Sequence, residues 1–419
     1  MATKFWHPFA DMRAVLRSEL VIARGDGCYV WDDSGKRYLD AAASLWYCNI
    51  GHGRSEIAAA VADQMRTLEA YSTFGDLTSP PVNELTDRLS MIAPVPDSVS
   101  FLTSGGSDSV DTAVKLARRY HTAMGRPERT FVLSRSRAYH GMHTAGTSIA
   151  GISANNDGYG KLLTDTALVE WDSHDSLLDV IERIGAERIA AFICEPIIGA
   201  GGVLAPPPGY LEKVRGICRD TGILFIADEV ITGFGRTGMW FASQRWNLEP
   251  DLVTCAKGIT SGYLPLGAVI AAPHVAEPWF EGDAGLWRHG YTYTGHTTVA
   301  AAAIANLGII QRENLLAEAS RLEAQLAAGL GPLAAHDLVS EVRCGVGALA
   351  AVQLAPEATA ENPQLPDQMN GALRKHGVLS RILFGNAVQI SPPFVMTESQ
   401  VTDLADALRA SLDELVASY

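Results

Sequence analysis

From about residue 98 the chain alternates short apolar runs, rich in β-branched and aromatic residues, with longer segments whose apolar residues recur every three to four positions. SVSFL at 98–102 is followed by DSVDTAVKLARRYHTA at 108–123. FVLS at 131–134 and AAFICEPI at 190–197 precede YLEKVRGICRD at 210–220. ILFIAD at 223–228, DLVTCA at 251–256 and LGAVIAA at 266–272 complete the series. Runs of that length fit buried strands and the longer period fits helices. The alternation therefore predicts an α/β domain with a mostly parallel mixed sheet covered by helices.

Near residue 300 the pattern changes. TTVAAAAIANLGII and RLEAQLAAGL are helical in period and made of good helix formers. The tail alternates again, with VGALAAVQL, PDQMNGALRKHG, VLSRIL, AVQIS and VTDLADALRASLDEL, and predicts a smaller α+β domain. CYVWDDSGKRYLDAA predicts a hairpin around Asp33 to Gly35, and the first residues are expected to join that smaller unit. The expected division is an N-terminal segment over 1–54, a large domain over 55–325 and a C-terminal small domain over 326–419.

Composition narrows the function classes. At 419 residues and 47% hydrophobic, the chain can bury one large core and one smaller one. Its longest apolar stretches, such as ILFIA, stop short of the roughly 20 residues of a membrane span, and MATKFWHPFADMR lacks the apolar core of a secretion signal. The expectation is a soluble, cytoplasmic protein. Cys28, Cys48, Cys194, Cys218, Cys255 and Cys344 form no C-x-x-C pair and read as free thiols. A net charge of −14 opposes binding to a polyanion, so nucleic acid is not an expected partner. His140 and His143 in YHGMH lack the carboxylate spacing of a metal site, and no metal is expected.

GFGRTG at 233–238 matches the glycine string of dinucleotide sites, but five residues separate it from ILFIA, and the aromatic-rich MWFASQRWNLEP that follows is a poor helix. The residues before the glycines carry more. Asp228 and Glu229 stand where one strand ends, and Lys257 stands at the end of the next run. At a third strand end Gly105, Gly106 and Ser107 precede a helix, a place that favours an anion, although serine there is a cap as readily as a phosphate ligand. An amine, a carboxylate and a phosphate cradle are what pyridoxal 5′-phosphate needs: an amine for its aldehyde, a carboxylate for its ring nitrogen and N–H donors for its phosphate. Val230 and Tyr139 stand where they can wall the ring, with core packing as the plain alternative for Tyr139.

With those residues in view, the chain resembles the class III, or ω-, aminotransferases, fold-type-I pyridoxal phosphate enzymes, over essentially its whole length. The resemblance rests on LWYCNIGHG at 45–53, LTSGGSDSVDTAVKLAR at 102–118, YHG at 139–141, EPIIGAGG at 195–202, DEVITGFGRTG at 228–238, AKGITSGYLPLGAV at 256–269 and HGYTYTGH at 289–296. It implies that Lys257 is the Schiff-base lysine and proton shuttle and that Asp228 partners the ring nitrogen. It further implies that Gly106 and Ser107 hold the phosphate, that Tyr139 and Val230 sandwich the ring, and that Thr292 reaches the phosphate of a neighbouring subunit in a homodimer. Glu195 is expected near the ring, paired with Arg236.

The same resemblance implies two half-reactions in one pocket, an amine donor giving its nitrogen and a keto-acid acceptor collecting it. Trp46, Phe74, Tyr139 and Tyr291 are the candidate walls for apolar or arylalkyl amines, and core roles serve Trp46 and Phe74 equally well. Arg381 is the candidate cation for the acceptor's carboxylate; it stands one residue farther from Pro392 and Pro393 than in similar chains, so an exposed loop arginine is the alternative. LWYCNIGHGR resembles the amine:pyruvate branch. FWHPFADM resembles the 7,8-diaminopelargonate synthase branch, whose donor is S-adenosylmethionine, and an aminomutase on the same scaffold is a further reading.

Overall fold

The computed structural model describes residues 3–417. Seven strands, β1 (Val99–Thr103), β2 (Phe131–Arg135), β3 (Thr166–Val169), β4 (Ile189–Cys194), β5 (Leu224–Asp228), β6 (Leu252–Cys255) and β7 (Gly267–Ala271), form one sheet in the order β1-β7-β6-β5-β4-β2-β3. β7 runs antiparallel to both neighbours and the other pairs are parallel, so the sheet is mixed and mostly parallel as the sequence predicts.

Every residue of β4, β5, β6 and β7 is buried, which explains why these strands read as unbroken apolar runs: a sheet covered on both faces leaves no polar side. Successive side chains still point to opposite faces. Phe192, Cys194, Phe225 and Ala227 enter the main core, whereas Ala191, Ile193, Leu224 and Ile226 enter a second core on the other face. The edge strand β3 is half exposed and too short to announce itself by apolar content.

Two smaller sheets flank this one. Ile22–Asp26, Tyr29–Asp32 and Arg37–Asp40 run antiparallel, and Arg37–Asp40 also pairs in parallel with Val378–Leu379 from the far end of the chain. The hairpin turn forms as predicted: the Asp32 carboxylate accepts from the N–H groups of Ser34 and Lys36, and Gly35 takes a left-handed φ of 87°. Val339–Arg343, Ala350–Leu354, Ala387–Ile390 and Ile382–Leu383 form the other sheet, all antiparallel. The closing helix Glu398–Val416 is opened by a reciprocal cap between Thr397 and Gln400. Helices Ser55–Thr67 and Pro80–Ile92 pack on Thr297–Arg312. Among the described residues no helix is long and apolar enough to cross a membrane.

Candidate active site

The C-terminal ends of β5 and β6 open onto a cavity of about 420 Å³ whose walls include Ser107, Tyr139, His140, Asp228, Val230 and Lys257. This is where an open parallel sheet places its ligands, because the connecting loops diverge there and leave a crevice. Asp228 closes β5 and is buried. Its Oδ1 accepts from the Val230 N–H and the Thr254 hydroxyl, both at 3.1 Å, and its Oδ2 lies 2.7 Å from His140 Nδ1. His140 is buried as well, and its second ring nitrogen has no hydrogen-bond partner among the described residues. A carboxylate supplied with three donors is held in place while its outer side faces the cavity.

Lys257 follows β6 with φ at +43°, a left-handed conformation that costs a non-glycine residue roughly 1–2 kcal/mol. Its ammonium makes no hydrogen bond or ion pair among the described residues. Burial pushes it down from 10.5 to about 8, against the opposing pull of the Asp228 and Glu195 charges. A strained, desolvated amine without a partner is poised to react and is of little use for packing.

At the third strand end the helix Gly106–Ala123 opens with no side-chain cap, and the first-turn N–H groups of Gly106 and Ser107 find no acceptor among the described residues. The backbone comes close here because side chains are absent. A Cβ on Gly106 would lie 2.9 Å from Val230 Cγ1, and one on Gly141 would lie 2.5 Å from Ser107 Oγ. The Ser107 hydroxyl accepts from the Met142 N–H at 3.1 Å and so fixes this corner.

An amine, a carboxylate and free N–H donors thus line one cavity, with Tyr139 and Val230 on its walls, and this donor set fits pyridoxal phosphate. The N-terminus of the helix suits the phosphate, Asp228 suits the ring nitrogen and Lys257 suits the aldehyde.

Glu195 corrects an expectation. It lies beside Tyr139 in the cavity wall, but its oxygens accept the Tyr139 N–H at 3.1 Å and the Gly199 N–H at 2.9 Å, and it forms no pair with Arg236. Burial pushes its carboxyl up. Arg236 instead reaches the carbonyls of Pro392 and Ala348 and the side chain of Asn49, with its guanidinium over the Phe394 ring. The GFGRTG loop is therefore a buried joint: Gly235 adopts φ of +101°, and a Cβ there would lie 2.8 Å from Phe394.

Among the expected substrate residues only Tyr139 lines this cavity. Trp46 is 2% exposed and packs with Ile197, Val203, Ile231 and Leu349. Left-handed φ values at Ala43, Ser44 and Trp46 kink the segment, turning Trp46 inward while Leu45 and Tyr47 reach the cavity wall. Phe74 is 56% exposed and sits against Gly290 outside the cavity. Tyr291 is held on the helix by Thr112 at 3.1 Å and the Asp108 carbonyl at 3.3 Å, and Thr292 is exposed and away from the lining. Arg381 does not line this cavity but a separate one of about 310 Å³ with Arg24, Asp40 and His52, and its charge is felt at both Tyr139 and Lys257. Its guanidinium has no partner among the described residues.

Two parts of the site were not legible in the sequence: His140 as the partner of Asp228, although it stands beside Tyr139 in YHG, and the Leu264–Leu266 wall, which lies within AKGITSGYLPLGAV. Among the described residues no three metal-ligating side chains gather; His140 is engaged with Asp228, and His143 lies 3.4 Å from Asp108.

The sequence model for class-III aminotransferases matches residues 12–412. The putrescine–pyruvate aminotransferase of Pseudomonas aeruginosa is 37% identical, over 98% of this chain and 94% of its own. An amine transaminase structure from an uncultivated Pseudomonas species, in its PLP-bound form, superposes with a TM-score of 0.94 at 39% identity, over 99% of each chain. An (S)-enantioselective ω-transaminase from Thermomicrobium roseum does so with a TM-score of 0.93 at 38% identity, over 98% of this chain and 96% of its own.

Proposed function

The chain belongs to the class-III aminotransferases, and we propose that it moves an amino group from a primary amine or ω-amino compound to a keto acid such as pyruvate. It is a transaminase that uses pyridoxal 5′-phosphate and acts on an amino donor and a carbonyl acceptor. When bound, that group supplies an aldehyde to carry the nitrogen and a ring that withdraws electrons from the reacting carbon.

The chain's own residues take the remaining roles in this reading. The first-turn N–H groups of Gly106 and Ser107 hold the phosphate, while Val230 and Tyr139 confine the ring. Asp228 holds a proton on the ring nitrogen, with His140 Nδ1 fixing the carboxylate from behind. Lys257 Nζ, lowered to about 8, takes and returns the proton at the substrate carbon near neutral pH, where a free lysine would stay charged.

The observation that carries the acceptor is Arg381. An unpaired guanidinium whose charge is felt at Tyr139 and Lys257 can meet a keto-acid carboxylate in a fork and withdraw for an uncharged side chain. Its side chain borders open volume of about 310 Å³, which leaves it room to turn. The test is a panel of primary amines offered with pyruvate, 2-oxoglutarate or S-adenosylmethionine as the partner. Alanine formed in step with amine loss is the expected result; transfer only with S-adenosylmethionine would overturn it.

In the same reading two copies form a cytoplasmic homodimer in which Thr292 reaches the neighbour's phosphate. What supports it is the exposure of Thr292 and its absence from the walls of its own cavity, together with six free cysteines that suit a reducing compartment. Mixing Thr292→Ala chains with Lys257→Ala chains should restore activity, since each mixed dimer keeps one intact site. No recovery in verified mixed dimers would place Thr292 in service of its own chain.

A further inference from the structure

Away from the active site, the helix Gly106–Ala123 presents Lys115, Arg118 and Arg119 to a further cavity of about 550 Å³, which Leu286, Trp287 and Arg288 also line. Positions 115, 118, 119 and 122 share one helical face, so the three side chains stand together by construction. Arg288 adds a fourth positive charge from the loop opposite. In a chain of net charge −14 four cations around one cavity need an explanation.

Neighbouring carboxylates do not supply it. None of the four forms an ion pair among the described residues. Their partners are neutral or distant: Arg119 donates to the Ala284 carbonyl at 3.2 Å, Arg118 to the Asp165 carbonyl at 3.5 Å, and Lys115 sits 3.0 Å from His289 Nδ1. Arg118 Nε is buried without a hydrogen-bond partner among the described residues. The Asp165 carboxylate acts on Arg118 only at longer range, and burial outweighs it in lowering that guanidinium. Favourable placement near a helix C-terminus would account for Arg118 and Arg119, but not for Lys115 in mid-helix or for Arg288 off the helix. Like charges three and four residues apart repel, and a bound anion would relieve that repulsion.

We propose that this cavity is a binding site for a small polyphosphate anion. Guanidinium groups meet phosphate oxygens in a fork, and the stripe from Lys115 to Thr122 runs about 10 Å along the helix, the reach of two or more linked phosphates and more than one orthophosphate needs. The ligand is small because the surrounding negative charge repels a long polyanion. Inorganic pyrophosphate and the phosphate tail of a nucleoside triphosphate share this chemistry, and Trp287, whose ring packs against Phe101, Trp279 and His289, borders the cations where only a nucleobase would meet it.

The test is calorimetric titration of the pyridoxal-phosphate-loaded enzyme in phosphate-free buffer at fixed ionic strength, with pyrophosphate, ATP and orthophosphate as probes. Pyrophosphate should saturate one site per chain and bind at least tenfold more tightly than orthophosphate. R118Q combined with R119Q should weaken it at least tenfold while melting temperature and cofactor absorbance stay unchanged. If that pair fails to fold, K115Q with R288Q, both exposed positions, should give the same loss. ATP binding severalfold tighter than pyrophosphate would assign the nucleotide, and equal binding would assign the phosphates alone. No saturable binding, binding indifferent to these substitutions, or heat that tracks loss of cofactor absorbance would overturn the proposal.

Discussion

Asp228 and Glu229 are consecutive and both buried, yet they serve different regions of the molecule. Glu229 points into the interior, where its oxygens accept from the Thr232 hydroxyl, the Ala242 N–H, and both the N–H and hydroxyl of Ser243. Each oxygen has two donors and nothing is left over. Asp228 faces the cavity with an ionisable partner, His140, whose far nitrogen is unsatisfied among the described residues, in the same cavity as an amine that likewise has no hydrogen-bond or ion-pair partner among them. Burial alone therefore does not mark a reactive carboxylate. Access to open volume and neighbours with unused bonding capacity do.

That contrast predicts where substitutions act. Lys257→Ala removes the one amine that the described residues place on the cavity wall and should lower turnover on the order of 10⁴-fold, with little change in melting temperature; activity within tenfold would mean another base serves. Asp228→Asn should cost about 10²-fold or more in turnover, roughly 3 kcal/mol, because an amide cannot hold a proton on the ring nitrogen. Arg381→Ala should slow the half-reaction with pyruvate or alanine by about 10²-fold and leave that with an arylalkyl amine within a few-fold, as single-turnover spectra would report. Equal losses in both would make Arg381 a prop for its loop.

Glu229→Gln should do the reverse of Asp228→Asn. Its amide N–H₂ would face N–H and O–H donors, so unfolding free energy should fall by about 2 kcal/mol while turnover per folded enzyme holds. A turnover loss like that of Asp228→Asn would erase the distinction between the two. The smallest effect is in pH. Because the folded amine of Lys257 titrates near 8 and the unfolded one near 10.5, the unfolded state binds more protons between those values, and stability rises with pH across that window. The cofactor-free enzyme should gain about 1 kcal/mol from pH 8 to pH 9 relative to Lys257→Met, measured by denaturant unfolding. A parallel pH profile in both proteins would show that the amine is not desolvated.

The alternation of strands and helices, the mixed sheet and the strand-end positions of Asp228, Lys257 and Gly106 were legible in the chain, because these follow from local periodicity and from which residues close an apolar run. The hairpin at Asp33 to Gly35 was legible for the same reason. Which way each side chain turns was settled by packing in three dimensions. Trp46 went inward and Leu45 and Tyr47 outward because of left-handed residues that composition does not reveal. Arg236 chose backbone carbonyls and Asn49, 112 to 187 residues away, over Glu195, because the GFGRTG loop folds against Phe394. Such pairings are set by packing between segments distant in sequence, and no local pattern encodes them.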